Sequence, residues 1–433
     1  MRKLKYRALI VALFSTAVIA LLGFFGWRAY NDGGDWAAYQ ANGNIYSSGK
    51  LTRGTITDRD GEILASLTES GIVYSEDALT RASTLHLIGD NAGNIAYGAY
   101  RQFRADLTGW DYIHGVSGEG GSVALSISAE AQRAAYSALE GRNGAVAVVD
   151  YETGEIIACA TSPGFDPYDM PEVLPDGAYL NRAISAAYTP GSVFKLVTMA
   201  AAIENIPDLY ERDFHCEGET TICGGKITCV AKHGDMKIED AMAKSCNCVF
   251  AALAAEIGGE TMQKYADKFG FTSKIDITGA RITAGRYSGA ESDDTALAWS
   301  GAGQSDDLIV PMALARYCAA IANGGEINEL TLKRGESGER TRLLEKSTAE
   351  RLGEVMSYTV KHSYGEENFP ALELHAKSGT AEVGGGKKPN SWFCGYIEND
   401  GAPYAFAVII ENGGWGIGEA ADCARNVLNI LIH

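Results

Sequence analysis

Ser192 and Lys195 stand three residues apart in TPGSVFKLVTMAAAIE, the run from Thr189 to Glu204 in which Val193, Phe194, Leu196 and Val197 read as the buried face of a helix. Pro190 and Gly191 predict a turn just before it, and residues three apart share a helical face, so the Ser192 hydroxyl and the Lys195 amine can meet. A serine is a weak nucleophile until something accepts its proton, and a lysine accepts one only when its pKa falls well below about 10.4. Apolar neighbours cause that fall, because burial disfavours the ammonium form. The alternative is a lysine whose stem lies along the core while its head reaches water.

Two other stretches carry groups that such chemistry needs. In AKSCNCVF, Ser245 and Asn247 open a helix whose Val249, Phe250, Leu253 and Ile257 lie on one face. The hydroxyl is placed to relay a proton and the amide to hold a substrate; simple N-capping is the competing reading. In HAKSGTAEV the pattern predicts a strand with Lys377 and Gly379 on one side and Ser378 and Thr380 on the other. The missing side chain at Gly379 leaves room for another chain, and a strand edge of this kind binds an extended peptide through main-chain hydrogen bonds. Lys377 supplies positive charge, and the two hydroxyls suit a carboxylate. The plainer reading is a solvated edge strand with a protective lysine.

These groups need elements to hold them. The 433 residues, 46% hydrophobic, are enough for two or three domains with a substantial core. MRKLKYR carries four basic residues and no acid, and the uncharged apolar run Ala8–Trp27 that follows is long enough to span a bilayer. The residues after Trp27 lack a small-residue cleavage site, so the run reads as an uncleaved anchor with its basic end in the cytoplasm. The formal net charge of −18 argues against nucleic acid as a partner.

Asp60-Gly61 between Thr/Ile and Ile/Leu segments predicts a hairpin over Leu51–Leu67, and GVSGEGGSV (Gly115–Val123) reads as a linker or hinge. Ser128–Leu139 predicts a helix capped by Ser128, and GAVAVVDYETGEIIACA predicts two strands around a turn at Glu152–Gly154. Three strand-like runs and a helix from about Glu419 to Ile432 close the chain. Strands at both ends with helices between them predict an α+β domain whose sheet joins early and late segments. Nine cysteines cannot all pair. Around HCEGETTICGGKITC, a local disulfide among Cys216, Cys223 and Cys229 is favoured over free thiols. A metal site that adds His233 comes last, because the spacings match no usual C-x-x-C interval.

S-x-x-K, S-x-N and K-S-G-T in this order resemble the signature of the penicillin-binding proteins and class A β-lactamases. Within that superfamily the chain is similar to the class B penicillin-binding proteins, single-pass peptidoglycan transpeptidases of the bacterial envelope. RGTITDRDGEILA looks like the RG-x-x-x-DR-x-G motif of their N-terminal domain. NGAVAVVDYETGEIIACATSPGFDP, NRAISAAYTPGSVFKLVT, HGDMKIEDAMAKSCNCVFAALA, the ANGG at Ala322–Gly325 and KSGTAEV with SWFCGYI look like transpeptidase stretches in family order.

The resemblance implies a penicillin-binding transpeptidase domain over 120–433, with an antiparallel sheet flanked by helices. Before it would come a cytoplasmic tail (1–7), a transmembrane anchor (8–27) and a small N-terminal pedestal domain (28–119). Ser192 would be the acylated nucleophile, Lys195 its base, and Ser245, Asn247 and Lys377 the remaining catalytic groups. Ser378, Gly379 and Thr380 would bind substrate, and the N–H groups of Ser192 and Thr380 would form an oxyanion hole. Ser378 stands where threonine is usual, and Cys246 fills the variable middle of the second motif. The implied substrates are stem peptides ending in D-Ala-D-Ala, with penicillin and other β-lactams acylating the same serine. No cofactor and no metal are expected.

The implied setting is cell-wall synthesis in cell shape or cell division, with the catalytic domain outside the cell membrane and a SEDS-type glycosyltransferase as partner. No E-x-x-x-N stretch follows Asn247 to activate a deacylating water, which disfavours a β-lactamase. The alternative function is a β-lactam sensor or a catalytically idle scaffold; a sensor would carry several spans.

Overall fold

The basic tail and the apolar run form one helix, α1 (Arg2–Ala37), which outlasts the expected span at its C-terminal end. Its most apolar window has a mean hydropathy of 2.6 and no part of that window is buried against the protein, so the helix is long and apolar enough to cross a membrane. The computed structural model describes residues 2–39, 42–43, 46–47, 50–289 and 295–432. The ends of the expected tail and catalytic domain at 1 and 433, parts of the pedestal at 40–41, 44–45 and 48–49, and residues 290–294 lie outside the described residues.

The hairpin forms where the turn chemistry placed it. Strands β1 (Thr55–Thr57) and β2 (Ile63–Thr68) pair antiparallel, and β3 (Gly71–Tyr74) adds to β2. Helix α2 (Ala78–Ile88) follows, capped by the Asp77 carboxylate. The Gly/Ser-rich run expected as a linker instead ends in strand β4 (Ser122–Ala124), parallel to β1. Val123 stands opposite Ile56 there, and burying both is what orders the segment.

The small sheet is tied to the segments that follow it by buried and half-buried polar groups. Asp58 Oδ1 accepts the N–H groups of Asp60 and Glu62 at 2.9 and 2.8 Å. Its Oδ2 accepts the Ala129 N–H at 3.0 Å, at the start of α3 (Ala129–Ala138), where Ser128 caps as expected. One carboxylate therefore closes the hairpin turn and docks it on the start of α3. Arg81 adds a two-pronged pair with Asp166 at 2.6 and 2.7 Å.

Strands β5 (Gly144–Asp150) and β6 (Ile156–Ser162) begin the main sheet. The chain then runs through a 3₁₀ turn (Gly191–Phe194) into α4 (Lys195–Asn205). Two ribbons follow, β7 (Phe214–Cys216) with β10 (Gly234–Met236), and β8 (Glu219–Ile222) with β9 (Gly225–Thr228). Next come α5 (Ile238–Ala243), α6 (Asn247–Ile257), α7 (Pro311–Ala322) and α8 (Lys346–Thr359). Strands β11 (Leu374–Ala381), β12 (Asn390–Ile397) and β13 (Tyr404–Ile410) and helix α9 (Glu419–Leu431) complete the chain. The sheet order β6-β5-β13-β12-β11 is antiparallel throughout, so early and late segments meet at β5 and β13 as expected.

Both faces of this sheet are covered, which explains why GAVAVVD is apolar without alternation. Ala145, Ala147 and Val149 face the core under α7, while Val146 and Val148 pack with Ala131, Ala135 and Ala424 of α3 and α9. Strand β11 is left at the edge.

No disulfide closes among the described residues, which overturns the local disulfide expected in the ribbons. Cys223 is exposed at the β8–β9 tip, in a left-handed backbone conformation (φ +51°), whereas Cys216 is buried at the ribbon base.

Candidate active site

The turn carrying Ser192 is wedged between β11 and a loop of small residues. The Gly191 N–H donates to Gly303 O at 2.8 Å, Trp392 Nε1 donates to Thr189 O at 2.9 Å, and Thr198 Oγ1 donates to Gly301 O at 2.7 Å. Gly191 has φ +57°, and a Cβ there would lie 2.6 Å from Thr380 O. A Cβ at Gly379 would lie 2.9 Å from Pro190 O, so the space that the sequence assigned to a bound peptide is filled by the turn that carries Ser192. The glycine brings Ser192 against the edge strand.

Lys195 is fully buried, and its Nζ lies 3.0 Å from Ser192 Oγ, 3.1 Å from Ser245 Oγ, 2.8 Å from Asn247 Oδ1 and 2.6 Å from Ser245 O. Burial pulls its pKa down to about 8, with negative charge on the neighbouring Cys229, Cys246 and Cys248 sulfurs pushing the other way. Lys377, 1% exposed, has its Nζ 3.1 Å from the same Ser245 hydroxyl and 3.0 Å from Ser378 O. Burial and then the charge of Lys195 bring it down to about 7. One hydroxyl thus sits between two amines, neither of which holds its proton firmly. Proton transfer from Ser192 to Lys195, and across Ser245, needs no side chain to move.

Ser245 is not the N-cap of α6. It closes α5 in the left-handed conformation (φ +53°), with its own N–H on Met242 O at 3.0 Å and the Cys246 N–H on Ala241 O at 2.8 Å. For a serine this backbone is strained, and it is kept where it aims the hydroxyl at both lysines. Cys246, the residue before α6, makes no side-chain cap either. Asn247 spends its carbonyl on Lys195 and its amide N–H on Thr228 O at 3.0 Å.

Along β11 the outer edge is partly occupied. The Ser378 N–H donates to the Tyr364 hydroxyl at 2.8 Å, and that hydroxyl donates to Ser378 Oγ at 2.9 Å. Gln304 Nε2 reaches Thr380 O at 3.4 Å. Main-chain groups two apart in a strand point the same way, so the Thr380 N–H also faces outward, toward the Ser192 turn. Thr380 Oγ1 accepts the Gly416 N–H at 3.3 Å. Beside these groups lies a cleft of about 710 Å³ lined by Thr228, Asn247, Trp299, Gln304, Ser305 and Glu382. A larger cavity of about 830 Å³, between Gly353, His375 and Tyr396, holds none of the groups named above.

All eight residues singled out from sequence therefore gather at one place. Sequence reasoning missed Gln304 and Tyr364. The small-residue run Ser300–Gly303 signalled a close approach for the former, but nothing near Tyr364 signals its partner on β11. Replacing Tyr364 with Phe leaves the Ser378 N–H without its acceptor, at about 1–3 kcal/mol. The expected result is slower acylation by a β-lactam together with a thermal transition lowered by a few degrees, read by stopped-flow β-lactam binding alongside thermal denaturation; an unaltered rate would remove Tyr364 from the machinery.

Comparison with known proteins gives a consistent picture. Residues 144–429 match the family described as the penicillin-binding protein transpeptidase domain. The peptidoglycan D,D-transpeptidase PbpA of Mycobacterium tuberculosis is 28% identical over 345 residues, covering 70% of this chain and 70% of that protein. Stage V sporulation protein D of Bacillus subtilis is 27% identical over 283 residues, 60% of this chain and 42% of that one. Among solved structures, the D,D-transpeptidase domain of a peptidoglycan glycosyltransferase from Eggerthella lenta superposes with a TM-score of 0.73 at 27% identity, covering 87% of this chain and 97% of that one. Penicillin-binding protein A of M. tuberculosis gives 0.77 at 25% identity, covering 88% and 99%.

Proposed function

This chain belongs to the penicillin-binding protein transpeptidase family, matched over most of its length, and from that premise we propose how its cleft divides the work of a class B enzyme. It is a serine-type peptidoglycan D,D-transpeptidase and is acylated by penicillin.

In the first half-reaction Ser192 Oγ attacks the carbonyl of the D-Ala-D-Ala peptide bond while Lys195 Nζ takes its proton. The tetrahedral oxyanion is held by the Ser192 and Thr380 N–H groups, each donor contributing about 3–4 kcal/mol in comparable acyl transfer. Collapse breaks the C–N bond, and the departing D-alanine amine receives the proton through Ser245. In the second half-reaction an acceptor amine attacks the acyl-enzyme and its proton returns to Ser192 by the same groups. The observation that carries the proposal is the fully buried Lys195 amine 3.0 Å from Ser192 Oγ. Lys377, Ser378 and Thr380 grip the terminal carboxylate, whose arrival also favours the charged form of Lys377. The substrate lies in the cleft against Gln304 and Trp299.

The test is to supply a peptide ending in D-Ala-D-Ala with an acceptor amine, and to measure D-alanine release together with crosslinked product. Binding of penicillin with no release of D-alanine from any donor would instead make the chain a sensor or idle scaffold.

Helix α1 supports anchoring in the cell membrane, and the basic residues before it support an extracytoplasmic catalytic domain. The pedestal, placed between anchor and cleft, is the surface for a SEDS-type glycosyltransferase. Recovery of the full chain from membranes under mild detergent without such a polymerase would count against that partner.

A further inference from the structure

The ribbons between α4 and α5 raise a question that the transpeptidase reaction does not answer: what holds them? From Phe214 to Met236 only Cys216, Ile227 and Met236 are buried, too little apolar surface to order a segment of that length unaided. Yet the segment brings Cys216, Cys229 and His233 together with Cys246 from the start of α6, their ligand atoms all within 4.8 Å of one another.

The geometry points to a structural zinc site formed by Cys216, Cys229, His233 and Cys246, which staples the ribbons to the second motif of the active site. Cys229 Sγ lies 3.9 Å from Cys246 Sγ and 3.5 Å from His233 Nδ1. A disulfide would need its sulfurs about 2.05 Å apart. A tetrahedron with Zn–S near about 2.3 Å and Zn–N near about 2.0 Å has edges of about 3.8 Å between sulfurs and about 3.5 Å from sulfur to nitrogen. Both distances fit the tetrahedron. Three cysteines and one histidine form a closed structural donor set, and soft thiolates select zinc over hard cations.

The surroundings suit thiolates. The Gly218 N–H points at Cys216 Sγ at 3.4 Å, and the Asn247 N–H points at Cys229 Sγ at 3.3 Å; the Cys216 thiol also donates to Ala231 O at 3.7 Å, a bond given up when its proton leaves. N–H groups of this kind stabilise metal-bound sulfur. On binding, three Zn–S bonds form as three thiol protons pass to solvent, and the neutral imidazole gives its Nδ1 lone pair, leaving the site with a single net negative charge. Neither the zinc nor the sulfurs change oxidation state.

The spacing argument against a metal counted only the ribbon residues; the fourth donor comes from Cys246, the supposedly free middle of the second motif. Its neighbours are the active-site groups Ser245 and Asn247. Asn247 is held by the Cys229 sulfur through its N–H and by Thr228 O through its side chain, and it presents Oδ1 to Lys195. Zinc thus acts as a positioning element for Asn247. That consequence rests on the proposed roles of the cleft residues, whereas the site itself does not.

The test is metal analysis of the full-length chain purified in detergent without chelator. It should carry zinc at one equivalent, and exchange with cobalt(II) should give the intense thiolate-to-cobalt absorption of a tetrahedral site. Cys229→Ser and Cys246→Ser should weaken zinc binding by more than about 100-fold, beyond what loss of an outer hydrogen bond costs, while Cys223→Ser leaves it intact. Should the serine variants fail to fold, the wild-type zinc content and cobalt spectrum decide alone. A chain without zinc that takes up no cobalt, or a Cys229–Cys246 disulfide in freshly purified protein, overturns the site. Unchanged penicillin acylation after zinc removal overturns its positioning role. Loss of acylation in a chain that keeps its zinc faults the cleft assignment instead.

Discussion

Ser192→Ala abolishes covalent labelling by a fluorescent penicillin and leaves the protein folded. The hydroxyl is the only atom removed from a turn held by the Gly191 N–H, Trp392 Nε1 and Thr198 Oγ1, none of which contacts it. Lys195 keeps its partners on Ser245 and Asn247, so no buried amine is stranded. The stability change should stay within about 1 kcal/mol, the ordinary net worth of one hydrogen bond. Intact-mass spectrometry gives the readout: the wild type gains the mass of the drug and the variant gains nothing. A persistent adduct would place the nucleophile elsewhere.

The second large effect comes from Lys195→Met. Methionine fills nearly the same volume beside the Phe250 ring while removing the amine, so packing survives and acylation slows by about 10²–10⁴-fold. Lys195→Arg is the informative companion. It keeps positive charge in the cleft but cannot be deprotonated near neutrality, so it does not restore the rate. Rescue by arginine would mean that charge, and not proton acceptance, is what the position supplies.

The pH dependence has the same origin. With the amine brought down to about 8 by burial, the base is protonated and idle below that value and free above it, so wild-type acylation rises as pH increases through about 8. The groups facing it are Lys377, itself losing its proton from about 7, and the Cys229, Cys246 and Cys248 thiols. In the methionine variant the rise through that range disappears.

What could be read from sequence, and what could not, divides along a physical line. Local rules reached the serine and lysine one helical turn apart, the Asp60-Gly61 hairpin, the capped helix at Ser128 and the alternation along Lys377–Thr380, because each depends on a few consecutive residues. The meeting of β5 with β13 was also accessible, since apolar strands at the two ends of a domain have few other ways to be covered. Tyr364 and Gln304 were out of reach: each acts through one long-range hydrogen bond that leaves no periodic trace. Ser245 misled for a related reason. Its preference for helix starts is real, but here the residue ends one helix in a left-handed turn before the next begins, and the lysines decide where its hydroxyl goes. The cysteines misled most, because a donor set assembled from a ribbon and a distant helix has no spacing to recognise.

The join between the small sheet and the cleft has one more consequence. Strand β4 passes from the small sheet with no slack, the Leu125 N–H bonding back to Thr57 O and the Ser126 N–H to Leu332 O, while Asp58 and Arg81 bolt the two parts together alongside. The two parts therefore turn as one body, like a lever rather than a bead on a string. A force that tilts the small sheet also re-aims the mouth of the cleft, with no change in the chemistry within.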